Sequence, residues 1–217
     1  MLLDAVRIAV PDDDFPRAET SYAVLLGAGG EAIADGRRFE LARGAVELVR
    51  GTPGGLRALV FVAPERPAAD FHGIDVLVRA AQPTAPRAAD VAIDHVVVRT
   101  TDPERAIALW RDRLGVRLAF DRAFPARGLR LLFFRSNRIT LEYAAPHPAV
   151  ADPGGDDVLW GVSYRVTDLH AKRAALVAAG VDVSEPRPGN KTGTTVMTVR
   201  SGTCGVPTLM LQDDPPA

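Results

Sequence analysis

The chain has 217 residues, 47% of them hydrophobic and 24% charged, enough apolar side chain to bury the core of one large domain or two small ones. Its 26 basic and 27 acidic residues leave a net charge of −1, which gives no support to a nucleic-acid or membrane partner. A single cysteine, Cys204, excludes an internal disulfide, the opening MLLDAVRIAVPDDDFP lacks the basic start of a signal peptide, and no apolar run nears the roughly 20 residues of a membrane span, so a soluble, cytoplasmic protein is expected.

Taken in chain order, the predicted elements repeat. A strand at LDAVRIAVPD (3–12) leads into a helix at RAETSYAVLLG (17–27), then strands at EAIAD, RRFELA and AVELVRG. LRALVFVAPE (56–65) restarts the pattern as a strand, without a convincing helix behind it. AAQPTAPRAAD (80–90), rich in Ala and Pro and free of periodicity, reads as a linker. IDHVVVRTTD (93–102) then lays its apolar positions on those of LDAVRIAVPD. Asp102 or Thr101 can cap the next helix, Pro103 suits its first position, and Ile107, Trp110 and Leu114 form one apolar stripe. Gly115 stands where a left-handed residue ends a helix, and Gly27 and Gly180 hold the same place in their copies. Strands VRLAFDR, LRLLFFR and RITLEYA follow. LWGVSYRVTD (159–168), the helical LHAKRAALVAAG (169–180) and strands VDVSEPR, TTVMTVR and PTLMLQ make another copy, and only the terminal DDPPA reads as disordered.

The unit is thus β-α-β-β-β, complete three times and truncated once, which makes an α+β fold of tandem units. Residues 1–82 are expected to hold one unit plus the truncated one, and 91–217 two complete units.

Ala5, Ala58, His95 and Gly161 occupy the same place in the four copies, so the fold itself does not require a histidine there. The ordinary alternative is a hydrogen-bonded core histidine. Alternate strand residues share a face, so His95, Val97 and Arg99 point one way, and Glu142 lies opposite Leu141 and Tyr143. His95 and Glu142 are suitable ligands for a divalent metal, and His147 or Asp152, on a loop, are the candidates for a third. Glu47 stands at the place of Glu142 in the first unit, with Ala5 as its partner, so it is read as exposed or salt-bridged. His72 and His170 read as surface or turn residues and Cys204 as structural. No nucleophile elbow, P-loop or dinucleotide fingerprint is present.

The opening I-D-H-V-V-V, the helix RAIALWRDRLG and the closing T-L-E-Y resemble the vicinal oxygen chelate superfamily, which includes glyoxalase I, extradiol dioxygenases, methylmalonyl-CoA epimerase and bleomycin-resistance proteins. The likeness covers 91–212 well and 1–80 more loosely. It implies that two units pair their sheets into an open cup holding a divalent metal (Zn, Fe, Mn or Ni) on the first and last strands of each unit. In this chain those places fall on His95 and Glu142, then on Gly161 and on or near Leu209, with Gln212 the nearest polar alternative. Two functions follow as expectations. One is a metal-dependent lyase, isomerase or ring-cleaving dioxygenase, with Glu142 as its catalytic carboxylate. The alternative is a metal-free binding module of the bleomycin-resistance kind. It would hold an apolar or aromatic ligand against Phe133 or Phe134 and Trp160, with Arg99 or Arg165 pairing an acidic group. Either way the partner is a small molecule. The repeat leaves open whether the cup is built within one chain or across a homodimer.

Overall fold

The computed structural model describes residues 1–81 and 90–214, so most of the expected linker and the last three residues of the tail lie outside the described residues. The first part contributes β1 (Leu2–Val10), α1 (Phe15–Leu26), β2 (Glu31–Ile33), β3 (Gly36–Glu40), β4 (Ala45–Arg50), β5 (Gly55–Val62) and β6 (Asp75–Arg79). Its strands form one six-stranded sheet, ordered β2-β3-β4-β1-β5-β6. The rest contributes β7 (Val91–Arg99), α2 (Pro103–Ile107), β8 (Arg117–Phe124), β9 (Leu129–Ser136), β10 (Ile139–Pro146) and β11 (Val158–Val166). It continues with α3 (Leu169–Ala178), β12 (Arg187–Pro188), β13 (Thr194–Val199) and β14 (Thr208–Asp213). These strands form an eight-stranded sheet, ordered β12-β13-β14-β11-β7-β10-β9-β8. The expected paired sheets are therefore one continuous sheet, built within a single chain.

One rule generates both sheets. The first and last strands of a unit pair in parallel, as β1 with β4, β7 with β10 and β11 with β14. First strands of successive units pair antiparallel, as β1 with β5 and β7 with β11. β5 and β6 also pair in parallel, so they are the first and last strands of a unit that has lost its helix and middle strands. In the last unit VDVSEPR does not form the expected strand. Pro186 and Pro188 lack the N–H that a ladder needs, and β12 shrinks to two residues, with Val183 reaching Val199 through an isolated bridge.

The helix signals act locally as expected. Asp102 accepts a hydrogen bond from the Arg105 N–H and Asp168 from the Ala171 N–H, each at a helix start. Gly115 closes its helix in the left-handed region at φ 65°. Beyond Ile107, α2 widens into a π-helical stretch over Ala108–Arg113, which carries Trp110 into the core.

The first strand of every unit carries a bulge. The β1–β5 pairing skips Asp4 and Arg57, and the β7–β11 pairing skips Asp94 and Trp160. A bulge breaks strict alternation, so neighbours such as Asp94 and His95 can turn their side chains to the same side.

The helix-covered faces of the two sheets look toward each other and share one apolar cluster. Trp110, fully buried, stacks on Phe61 of the other sheet with ring centres 5.7 Å apart and touches Phe71 at 5.8 Å. Its indole N–H donates to the Tyr143 hydroxyl at 2.7 Å. The Tyr22 hydroxyl on α1 donates to the Thr203 carbonyl. The opposite face of each sheet therefore turns away from this shared core. Among the described residues no helix is long and apolar enough to cross a membrane.

Candidate functional site on the eight-stranded sheet

β7 buries Val96 and Val98 completely on the helix side, and β10 does the same with Leu141 and Tyr143. The intervening residues must face the other way. Thr140 lies opposite His95 and Glu142 opposite Val97 in the parallel β7–β10 ladder. The two candidate side chains meet across it, with His95 Nε2 3.7 Å from Glu142 Oε2.

The other ring nitrogen is already held. His95 Nδ1 lies 2.8 Å from Asp94 Oδ2, a contact that the bulge makes reachable. Asp94 in turn accepts from Arg165 Nε at 2.9 Å and Nη2 at 2.7 Å. Burial would raise the Asp94 carboxyl, but the His95 and Arg165 hydrogen bonds outweigh it and hold the group well below the usual range. An ionised Asp94 assigns the ring proton to Nδ1 and leaves Nε2 as the atom offered to Glu142 and to the open face. Glu142 moves the other way. Burial raises its carboxyl, the nearby Asp94 charge adds to that, and His95 only partly offsets it. Among the described residues, His95 is the one ion-pair partner of Glu142.

The remaining expected residues divide by face. Phe133 lies partly exposed beside Phe120, ring centres 4.8 Å apart. Phe134 does not line the site. Alternation turns it into the core, where it is fully buried and meets Tyr143 edge-on. Trp160, 38% exposed, sits under the Arg99 guanidinium, whose carbon is 4.6 Å from the ring centre. Arg165 is not available to an acidic ligand, because its fork grips Asp94 and its remaining nitrogen pairs with Asp213.

The partner places in the last unit are now fixed by register. Gly161 pairs with Val97 while Ser163 pairs with His95, so Gly161 is the counterpart of His95. Leu209 lies opposite Ser163 as Glu142 lies opposite Val97, so Leu209 is the counterpart of Glu142. A Cβ at Gly161 would come within 2.6 Å of the Pro207 carbonyl oxygen, so the backbone already fills that space. Gln212 turns to the helix side and accepts the Leu169 N–H at the start of α3. Neither it nor His147 or Asp152 joins the pair, and no group of three His, Cys, Asp or Glu suited to a metal exists among the described residues.

Sequence reasoning missed Asp94. A signal was present, since an acid precedes the aligned place in both LDA and IDH, but strict alternation assigned it to the wrong face. On the six-stranded sheet Glu47 is salt-bridged rather than exposed. Its carboxylate is buried and accepts from Arg7 at 2.8 Å, from Arg38 at 2.6 Å and from Arg79. A cavity of about 410 Å³ lies between the end of α1 and α3, and another of about 330 Å³ lies on the six-stranded sheet. Neither is lined by His95 or Glu142.

Residues 94–198 match a family model described as the Glyoxalase/Bleomycin resistance protein/Dioxygenase superfamily. This segment belongs to that superfamily. Among solved structures, methylmalonyl-CoA epimerase from Mycobacterium tuberculosis is 20% identical over 57% of this chain and 88% of its own, with a TM-score of 0.46. A hypothetical protein from Bacillus halodurans C-125 is 17% identical over 58% of this chain and 97% of its own, with a TM-score of 0.48. Methylmalonyl-CoA epimerase from Streptomyces coelicolor, in complex with 2-nitronate-propionyl-CoA, is 19% identical over 57% and 97%, with a TM-score of 0.44. No curated protein matches the chain.

The superfamily resemblance implies a divalent metal, and the donors do not fit a resident one. Catalytic metal sites usually offer three protein ligands. Here the four places hold one imidazole nitrogen, one carboxylate, a glycine without room for a side chain, and a leucine.

Proposed function

We propose that the outward face of the eight-stranded sheet is a metal-independent site for a small, partly aromatic organic acid. The observation that carries this reading is the donor set, two groups at four places, with one vacancy closed by the Pro207 backbone. Phe133 and Phe120 supply an apolar platform on one side of His95, and Trp160 with Arg99 supplies an aromatic surface and a cation on the other. Among the described residues Arg99 has no carboxylate partner, so its charge is available to an acidic group, whereas that of Arg165 is committed to Asp94.

The centre of this face also handles a proton. Asp94 orients the ring, Nε2 can accept the proton of a C–H, and the Glu142 carboxyl, raised by burial, can donate one to the adjacent carbonyl oxygen. A ligand with an acidic C–H beside a carbonyl would meet a base at His95 and an acid at Glu142. This supports a metal-free isomerase as the second reading. Ring-cleaving dioxygenase and metal-assisted lyase chemistry need ligands that these places do not supply.

The test uses the two tryptophans. Trp110 is fully buried and Trp160 exposed, so a quencher in solution and a ligand on the outward face act mainly on Trp160. Aromatic carboxylates should change Trp160 fluorescence in chelator-treated protein, and Arg99→Gln should weaken the effect. Binding that appears only after a divalent metal is added back would overturn the reading.

A further inference from the structure

The six-stranded sheet has an outward face of its own, and the cavity of about 330 Å³ opens there. Its lining includes Arg7, Arg57, Arg66, Asp75, Ala58 and Leu77. The bulge explains part of this arrangement. Arg57 is the residue skipped in the β1–β5 pairing, so it stands beside Ala58, the small residue at the place that His95 holds in the other sheet.

Charge is unbalanced in this cavity, with three guanidinium groups facing one carboxylate. Arg7 is anchored, giving Nε to Glu47 at 2.8 Å and Nη2 to Asp35 at 3.1 Å. Arg57 meets Asp75 in a long contact, Nε 3.3 Å from the carboxylate, with both side chains more than half exposed. Arg66 has no carboxylate partner among the described residues, and its guanidinium carbon lies 6.0 Å from the centre of the Phe71 ring. Beneath the charges is an apolar floor. Ala58 is buried at its base, and Leu77 is one of the few large apolar side chains left exposed.

We infer that this cavity binds a small organic acid, with its carboxylate on Arg57 and Arg66 and a short apolar body over Ala58 and Leu77. Guanidinium forks match carboxylates bidentately, and the volume falls at the low end of small-molecule pockets. A bare inorganic oxyanion would satisfy the charges but leave Leu77 wet. The organic acid satisfies both parts of the lining. The site lies on the other sheet from His95 and stands apart from the reading proposed above.

The experiment is a calorimetric titration of the whole protein with hexanoate, hexylamine and inorganic phosphate, each at the same ionic strength. Hexanoate should bind and hexylamine should not. Arg57→Gln and Arg66→Gln, both at exposed side chains, should each weaken hexanoate roughly tenfold or more, as loss of a charged hydrogen bond does. Arg99→Gln removes the cation that would pair an acid on the other sheet and should leave the arginine-dependent hexanoate binding unchanged, which separates this cavity from that site. Equal binding of hexylamine, or hexanoate affinity unchanged in both arginine variants, overturns the inference. Phosphate binding as tightly as hexanoate overturns the assignment to an organic acid.

Discussion

Glu47 and Glu142 occupy the same place in two sheets and live in opposite electrostatic surroundings. Each sits on the last strand of its unit, one residue pair from the bulge-bearing first strand. Glu47 accepts hydrogen bonds from three arginines, and although burial would raise its carboxyl, those bonds from Arg79, Arg7 and Arg38 hold it low. Glu142 faces a histidine and a second carboxylate, and burial raises it. The first is a structural ion cluster. The second is a buried carboxyl with no arginine partner among the described residues.

Removing the two charges should therefore have unequal effects. Glu47→Gln strips the central anion from three guanidinium groups in a buried cluster and is expected to cost about 3–5 kcal/mol, as breaking a buried pair does. Glu142→Gln removes a charge that burial disfavours, so its unfolding midpoint in urea at pH 7 should equal or exceed that of the wild type. A large loss in Glu142→Gln would contradict the contrast.

The same groups set the pH dependence. The folded Glu142 carboxyl titrates above its ordinary 4.5, so between that value and its folded one the native state holds the extra proton. Stability falls as pH rises through that window and is level above it. Asp94 titrates below its ordinary 3.8 when folded, so its contribution is fully present above 3.8 and is lost as pH falls below it. In a series of denaturant melts across pH, Glu142→Gln should flatten the decline above 4.5, and Asp94→Asn should flatten the loss below 3.8. Unaltered slopes in both would count against the assigned directions.

Gly161 is a steric requirement. Putting a histidine there to complete a metal set pushes its Cβ into the Pro207 carbonyl, which also accepts the Val162 N–H. Gly161→His should lower the melting temperature without creating a Zn²⁺-dependent rise. A metal-dependent rise would show that the strand can shift to make room.

Trp110 couples the two sheets. Trp110→Ala removes its stacking on Phe61 and its tilted contact with Phe71 and leaves the Tyr143 hydroxyl without its donor, at an expected cost of about 3–5 kcal/mol. Urea unfolding followed separately by far-ultraviolet circular dichroism and by Trp160 fluorescence should give two non-coincident transitions in this variant and one in the wild type. Coincident transitions in the variant would show that other contacts couple the sheets.

Much of the fold is legible in the residues because its signals are local. Asp102 and Asp168 cap helices, glycines close them, and first strands such as IDHVVV carry apolar runs. β6 escaped because DVLVR is short and gains strand identity only by pairing with β5. VDVSEPR misled in the other direction, since Pro186 has no N–H to give a ladder and pairing is confined to Arg187 and Pro188. At the site, alternation placed His95 and Glu142 together and separated them from Leu141. It failed at Asp94, where a bulge overrides the period of two, and it could not choose between Phe133 and Phe134 without the strand register. That Arg165 is bound to Asp94 is a long-range contact, invisible before folding.

The most direct measurement for the metal-independent account is a calorimetric titration of chelator-treated protein with Zn²⁺, Mn²⁺ and Fe²⁺, run on the wild type, His95→Ala and Glu142→Gln. The expected result is no stoichiometric binding that depends on both residues. One ion bound per chain in the wild type, and lost in both variants, would contradict the account.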